Sequence, residues 1–171
     1  DWGLQMNRSL GLIRQGTAVI AQAYPGNGRE RLFALASYLL IKGNRTYLNL
    51  ETSEEPEWWP EYDIEIGSPL PGPVADIDDL AMSGVYRRDF TGGFVLVNPA
   101  EDGPAIEVNL GSLFMRVTAS GGGRAPFSGA PRRPDGRDGR TAERAAAVLC
   151  ARCAPTPARP PRWTRISVSN S

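Results

Sequence analysis

The residues best suited to chemistry in this sequence are a group of carboxylates interleaved with aromatic side chains. A glycosidic bond is hydrolysed by two carboxyl groups, one that donates a proton and one that acts as nucleophile or base. Aromatic rings bind the apolar C–H surface of a sugar, while carboxylates and amides bind its hydroxyl groups. The combination therefore favours sugar chemistry, which requires no cofactor and no metal. The carboxylates are Glu51, Glu54, Glu55, Glu57, Glu61, Asp63 and Glu65, and the aromatic residues are Trp58, Trp59 and Tyr62.

Other interpretations of this group stay open. An acidic run in a loop is commonly a solvated surface, and the acids of residues 54–57 fit that interpretation best. The adjacent indoles Trp58–Trp59 are either a platform for a sugar or a hydrophobic plug. Residues 62–66 alternate apolar residues with acids, which is typical of a half-buried strand with its polar face in water.

Glu51 differs from the other acids because it ends a segment, TYLNLE, whose pattern predicts a strand over 46–51. Its side chain is expected on the same face as that of Asn49. A carboxylate in this position is either functional or paired with a cation such as Arg45. The candidate catalytic carboxylates are, in order of preference, Glu51, Glu61 and Asp63.

The elements that position these residues follow one another over residues 16–51. The segment GTAVIAQAY (16–24) is short, β-branched in its middle and bounded by glycine and proline, which predicts a buried strand. Residues 29–42 carry leucines at helical spacing and predict a helix that ends near Gly43. A strand, a helix and a second strand in this order predict a βαβ unit with parallel strands. Ligands gather at the carboxyl ends of such strands, which here carry Gln22, Tyr24, Asn49 and Glu51.

The sequence pattern changes after residue 80. Short apolar segments alternate with the turns TGG and EDGP, which predicts an antiparallel meander. The expected strands are Val85–Phe90, Phe94–Asn98, Ile106–Leu110 and Phe114–Ala119.

The order of these segments resembles the C-terminal end of glycoside hydrolases with a (β/α)8 barrel. The likeness lies in GTAVIAQAY, the helix RERLFALASYLLIKG, TYLNLE, WWPEYDIEIG and GVYRRDFTGGFVLVNP. The chain looks most like the hypothetical glycoside hydrolase family 15 group, in which a small antiparallel β domain follows the last two barrel strands. The resemblance covers about residues 1–119.

This resemblance implies an α/β fold with 16–24 as barrel strand seven and 46–51 as strand eight. Gln22, Tyr24, Asn49 and Glu51 are then expected at the substrate end, with Trp58, Trp59 and Tyr62 as stacking residues. Barrel glycosidases commonly place the acid/base after strand four, for which this chain has no counterpart. A complete barrel takes about 200 residues or more, so we expect this chain alone to be inactive. A non-catalytic protein that binds glycans or packs against a partner is the alternative.

Composition divides the chain further. Residues 1–119 hold 16 acidic and 9 basic side chains, whereas residues 120–171 hold 3 and 10. The latter part is rich in arginine, proline, glycine and alanine, and is expected to be disordered. The expected domains are thus the barrel part (1–80), the antiparallel β domain (81–119) and this tail (120–171). One more apolar strand is expected after residue 119 to complete the β domain, and the tail carries no such pattern. Because 18 arginines stand against one lysine, a frameshift in a GC-rich gene is a hypothesis for the tail.

The remaining features exclude several classes of function. The chain has no histidine, which excludes a catalytic histidine and a histidine-ligated metal. No run approaches the roughly 18 apolar residues of a membrane-spanning helix. The arginines of 132–140 lack interleaved aromatics, which argues against nucleic acid as a partner. The acidic and aromatic loop makes carbohydrate the expected partner. Cys150 and Cys153 form a lone CxxC, too few ligands for structural zinc. The chain begins at Asp1 without a leader, and we expect a fragment or a processed chain, with a secreted or cell-surface location if it is a glycosidase.

Overall fold

The computed structural model describes residues 1–50, 57–70, 74–100, 106–110, 114–124, 147–152 and 165–168. Within them, helices and short strands are mixed, and no helix has the length and apolarity to cross a bilayer. The helices are α1 (Trp2–Arg14) and α2 (Gly28–Ile41), with 3₁₀ helices at Pro60–Asp63 and Ile77–Leu80. The strands are β1 (Val19–Ala23), β2 (Thr46–Leu50), β3 (Glu57–Trp58), β4 (Pro69–Leu70), β5 (Ala81–Met82), β6 (Val85–Phe90), β7 (Gly93–Val97), β8 (Ile106–Asn109), β9 (Phe114–Arg116), β10 (Gly123–Arg124), β11 (Ala147–Arg152) and β12 (Arg165–Val168).

The predicted βαβ unit is present. β1 and β2 pair in parallel, with Val19 opposite Thr46 and Gln22 opposite Asn49, and α2 connects them. One face of this two-stranded sheet packs into the core through Leu48 and Leu50, as the alternation predicts. β1 is shorter than the predicted 16–24, and β2 follows its prediction up to Leu50, the last described residue there. The (β/α)8 barrel that the resemblance implies stays an expectation.

Local chemistry explains where α2 begins. The side chain of Asn27 accepts a hydrogen bond from the backbone N–H of Glu30 at 3.0 Å. The Glu30 carboxylate in turn accepts the backbone N–H of Gly26 at 2.7 Å. An Asn cap and an acid in the first turn satisfy free N–H groups and complement the helix dipole. The turn PGNG therefore acts as a helix start, one residue earlier than predicted.

The carboxyl end of α2 is held by an arginine from another element. Buried Arg88 of β6 donates through Nη1 to the carbonyls of Leu39 at 3.1 Å, Leu40 at 2.7 Å and Lys42 at 3.0 Å. These carbonyls belong to the last turn of the helix and its cap. The Leu39 carbonyl also accepts the Lys42 backbone N–H at 3.3 Å, and the helix ends before it can supply donors to the other two. Arg88 thus fastens the predicted β domain to the βαβ unit.

The helix α1 has no counterpart among the sequence predictions. Its Trp2 indole donates to Ser37 of α2 at 3.0 Å, and its ring lies 4.9 Å from that of Tyr86. Asn7 accepts the backbone N–H of Ile77 at 2.7 Å and donates to Asp76 at 3.2 Å. α1 is therefore anchored to α2 and to both sides of the 80–81 boundary that composition suggested.

The second sheet has six strands and is antiparallel. Its order is β4-β6-β7-β11-β9, with β5 also on β6. Every residue of β7 is buried, because its alternate side chains enter two different cores. Val95 and Val97 pack with α2, whereas Phe94 and Leu96 pack with Val108 of β8. Coverage of both faces explains why this strand reads as a continuous apolar run.

The predicted hairpin of β6 and β7 is confirmed, but the meander beyond it is wrong. β7 pairs next with β11, and β8 pairs with β12, so β8 and β9 are not consecutive neighbours of β7. Both new partners come from residues 120–171, of which the structure describes 120–124, 147–152 and 165–168, and the expectation of a disordered tail stays a prediction. The meander prediction paired consecutive strands only, and a partner about 50 residues later leaves no local signal in the sequence. Residues 125–146, 153–164 and 169–171 lie outside the described residues.

Candidate functional site

The carboxyl ends of the parallel strands bring three predicted residues together. The register places Gln22 of β1 beside Asn49 of β2 on the face that points away from α2. The Gln22 amide donates to the hydroxyl of Tyr24 at 2.7 Å. The Tyr24 side chain is 74% exposed, so its ring and the adjoining amides form an accessible polar and aromatic surface.

The rest of this face is apolar and uncovered. Ile20 and Tyr47 lie opposite each other in register and are 69% and 57% exposed. Parallel sheets are ordinarily covered on both faces. In the described residues, this face has no cover and neither strand has a second neighbour.

The loop after β2 forms a second group around Trp58. This indole donates through Nε1 to the Asp63 carboxylate at 3.2 Å, and its ring meets Tyr62 edge to face at 5.2 Å. Trp58 is 46% exposed and Asp63 is exposed as well. An aromatic ring fixed beside a solvent-facing carboxylate has the two features that sugar binding requires, an apolar face and a hydroxyl acceptor.

Trp59 takes a different position from its neighbour. Its indole donates to the carbonyl of Leu50 at 3.2 Å, which fixes the loop to the carboxyl end of β2. The Arg31 guanidinium lies 3.9 Å from the ring centroid, in cation–π contact. A Cβ on Gly122 would clash with Cε3 and Cζ3 of the Trp59 ring, so the segment before β10 also packs closely against this indole. Trp59 has the geometry of a plug and Trp58 that of an exposed platform.

Glu61 is buried rather than solvated. Its Oε1 accepts from Arg31 Nη2 at 3.0 Å and from the backbone N–H of Ser120 at 3.0 Å. The two charged side chains are 2% and 10% exposed, so both charges have left bulk water. Among the described residues, Glu61 Oε2 and Arg31 Nε are buried without a hydrogen-bond partner, so the desolvation of the two charges is only partly offset. The geometry joins α2, the loop and the segment before β10 at one point.

The expectation of a half-buried strand over 62–66 is wrong. Residues 60–63 form a 3₁₀ helix, which begins with Pro60 and turns Glu61 into the core. The burial alternation does hold, since Asp63 and Glu65 are exposed while Ile66 is buried. A proline suits the first position of a helix because its missing N–H has no partner to lose there.

Tyr62 contacts the Trp58 ring and the backbone of Leu50 at the end of β2. Burial raises the pKa of its phenol above the ordinary value, while the Leu50 backbone and the Arg31 charge partly offset the rise. The hydroxyl is therefore neutral at ordinary pH.

Glu51, the first catalytic candidate, lies outside the described residues, as do Glu54 and Glu55. Its suggested partner Arg45 donates to the carbonyl of Gly16 at 3.0 Å, at the amino ends of the strands. The roles of the candidate residues stay predictions.

The residue that sequence analysis missed is Arg31. It lies four residues before Leu35 and eight before Leu39, so it occupies the same buried stripe of α2. A cation on an apolar stripe signals a buried partner, because arginine is seldom buried unpaired. That signal was present in the sequence, but it does not identify Glu61, 30 residues away, as the partner.

Comparison with known proteins gives one match. A family model described as "Hypothetical glycosyl hydrolase family 15" matches residues 1–94, which is more than half of the chain. The comparison with curated proteins gave no match, and the comparison with solved structures gave none.

Proposed function

This chain belongs to the hypothetical glycosyl hydrolase family 15, and we propose that it is part of an enzyme that hydrolyses O-glycosidic bonds of an oligo- or polysaccharide. The observation that carries the proposal is the parallel pairing of β1 and β2, with Gln22 beside Asn49 at their carboxyl ends. In barrel enzymes of this strand–helix order, substrates bind at that end of the strands.

We further propose that β1 and β2 are strands seven and eight of a (β/α)8 barrel completed by residues outside this chain. The uncovered face with Ile20 and Tyr47 would then point into the barrel, where bulky side chains fill successive layers. The open edges of the two strands would pair with strands six and one. This arrangement removes both the exposed apolar surface and the unpaired backbone groups.

Within this site the acids have different roles. Glu51 follows β2 and is the proposed catalytic or substrate-orienting carboxylate. Glu61 is better suited to positioning, because its charge is committed to Arg31 and its side chain is buried. Asp63 faces solvent beside Trp58 and is suited to binding a sugar hydroxyl. The second carboxylate that hydrolysis requires would come from another barrel strand.

The test compares this chain with a protein that carries the complete barrel. We expect the 171-residue chain to show no hydrolysis above the blank on a polysaccharide panel. In the complete protein, Glu51→Gln should lower kcat about 100-fold or more, the usual effect of losing an acid/base group. Glu65→Gln, an exposed acid farther along the loop, is the matched control and should leave kcat within a factor of two. Hydrolysis by the isolated chain, or lost stability with normal turnover in Glu51→Gln, would contradict the proposal.

The edge-to-face pair of the exposed Trp58 and the half-buried Tyr62 supports a second candidate, a non-catalytic glycan-binding protein. That function needs the aromatic platform but no carboxylate pair. Titration of the chain with oligosaccharides, followed by tryptophan fluorescence, distinguishes the two. Affinity that survives replacement of Glu51, Glu61 and Asp63 but not of Trp58 and Trp59 favours this candidate.

A further inference from the structure

A cavity of about 690 Å³ opens at the other end of the parallel strands. Its walls come from the last turn of α1, the residues before β1, the connection from α2 to β2, and β6. Gly16 and Thr17 precede β1, and Asn44 precedes β2, so the cavity lies at the amino ends of these strands. Five residues of β-strand span roughly 16 Å, which separates the cavity from the proposed sugar site.

The charges that line this cavity are all positive. The cations are Arg14, Lys42, Arg45 and Arg88, and among the described lining residues there is no carboxylate. Arg88 is engaged by carbonyls of α2, and Arg45 donates to the Gly16 carbonyl. In the described part of the chain, Arg14 and Lys42 have no acidic partner.

The dipoles of the two helices explain only part of the positive charge that lines the cavity. Both α1 and α2 end at the cavity, and a helix C-terminus attracts cations because it carries roughly half a negative charge. Two helix ends together amount to about one negative charge against four positive side chains. A net positive potential therefore remains, and it is reinforced by walls of low polarity.

The floor of the cavity is apolar. Leu10 and Ile41 are buried there, and Ile13, Val74 and Pro69 complete the surface. An inorganic ion alone would leave this surface in contact with water. A ligand with an apolar body would bury it, and the volume falls within the range of small-molecule sites.

We propose that this cavity binds a small organic anion, with its carboxylate or phosphate head on Arg14 and Lys42 and its apolar body on the leucine and isoleucine floor. The site is independent of the glycosidase proposal, since it lies at the opposite strand ends and involves none of the acidic loop. Arginine and lysine both bind such heads through charge-assisted hydrogen bonds.

Isothermal titration of the 171-residue chain tests the proposal with four probes. Phenyl phosphate and benzoate combine the charge with an apolar body, inorganic phosphate has the charge alone, and benzyl alcohol has the body alone. We expect both organic anions to bind, inorganic phosphate to bind about tenfold more weakly, and benzyl alcohol not to bind measurably. Equal affinity for inorganic phosphate and phenyl phosphate would overturn the role of the apolar floor.

Charge-matched variants locate the site. Arg14→Gln with Lys42→Gln should weaken phenyl phosphate binding at least about tenfold. Arg8→Gln with Arg116→Gln removes the same charge from exposed positions that do not line the cavity, and should change affinity less than about twofold. Equal weakening in both double variants, or no binding of any organic anion by the unmodified chain, would overturn the proposal.

Discussion

The two sheets that contact α2 differ in how their faces are covered. The antiparallel sheet is buried on both faces at β7, where Val95 and Leu96 are fully inaccessible although they point in opposite directions. The parallel sheet is covered on one face only, and its other face leaves Ile20 69% exposed. Strands β1 and β7 both consist mainly of small and apolar residues, so the difference in exposure lies in what each sheet packs against.

This contrast shows which of the two sheets has both faces covered by residues of this chain. A sheet with two cores fills both sides from its own sequence, since α2 covers one and β8 the other. A two-stranded parallel sheet with an open apolar face is marginal by itself. It is held here by α2, whose ends are both fixed by arginines, Arg31 to Glu61 and Arg88 to the terminal carbonyls.

The largest expected effect comes from cutting the link between the two sheets. Arg88→Ala removes the side-chain donor of three carbonyls in the last turn and cap of α2, of which Leu39 keeps the Lys42 N–H, and we expect a loss of about 4 kcal/mol in the free energy of unfolding. Urea denaturation followed by circular dichroism measures it. Arg87→Ala on the same strand is the control, because its pair with Asp89 is partly exposed and is worth at most about 1 kcal/mol. Similar losses in both variants would show that Arg88 is not the fastening point.

A smaller effect tests the coverage of the faces directly. Leu96→Ala opens a cavity in the antiparallel sheet and should cost about 3 kcal/mol. Ile20→Ala removes a side chain that is mostly in water and should cost less than about 0.5 kcal/mol in this chain. In a protein with the complete barrel, the same Ile20 substitution should cost about 2 kcal/mol or more, because the side chain would be buried there. An equal, small cost in both proteins would argue that this face stays open.

Sequence patterns predicted the elements that depend on local signals. The strands β1 and β2, the helix between them and the hairpin of β6 and β7 all follow from spacing and from turn residues. The same kind of signal exists for α1, where Trp2, Met6 and Leu10 lie at intervals of four residues after the capping Asp1. That helix was predictable from the pattern, although no prediction was made for it.

Local sequence patterns did not predict which distant residues and strands pair with each other. Glu61 was one of several acids in a polar loop, and its burial depends on Arg31, which lies 30 residues earlier. The partner of β7 was also unpredictable, because β11 follows it by about 50 residues and is joined through backbone hydrogen bonds. Local sequence fixes neither a distant ion pair nor the order of strands in a sheet.

A third effect concerns the contact between the loop after β2 and the carboxyl end of the parallel sheet. Gly122 has φ +88, and a Cβ there would meet the ring of Trp59, itself held by Arg31 and by the Leu50 carbonyl. We expect Gly122→Ala to cost about 2 kcal/mol, from the left-handed backbone and from overpacking. Tryptophan emission should shift to longer wavelength as the ring moves towards water.

The neighbouring glycine separates the two causes of that loss. Gly121 has φ +41, with nothing within 4 Å of its would-be Cβ, so Gly121→Ala tests the backbone alone. We expect it to cost about 1 kcal/mol and to leave the emission unchanged. Equal losses and unshifted emission in both variants would mean that Trp59 does not hold the loop against the carboxyl end of β2. The loop and the strand ends would then be separate surfaces, and a substrate site shared between them would lose its structural basis.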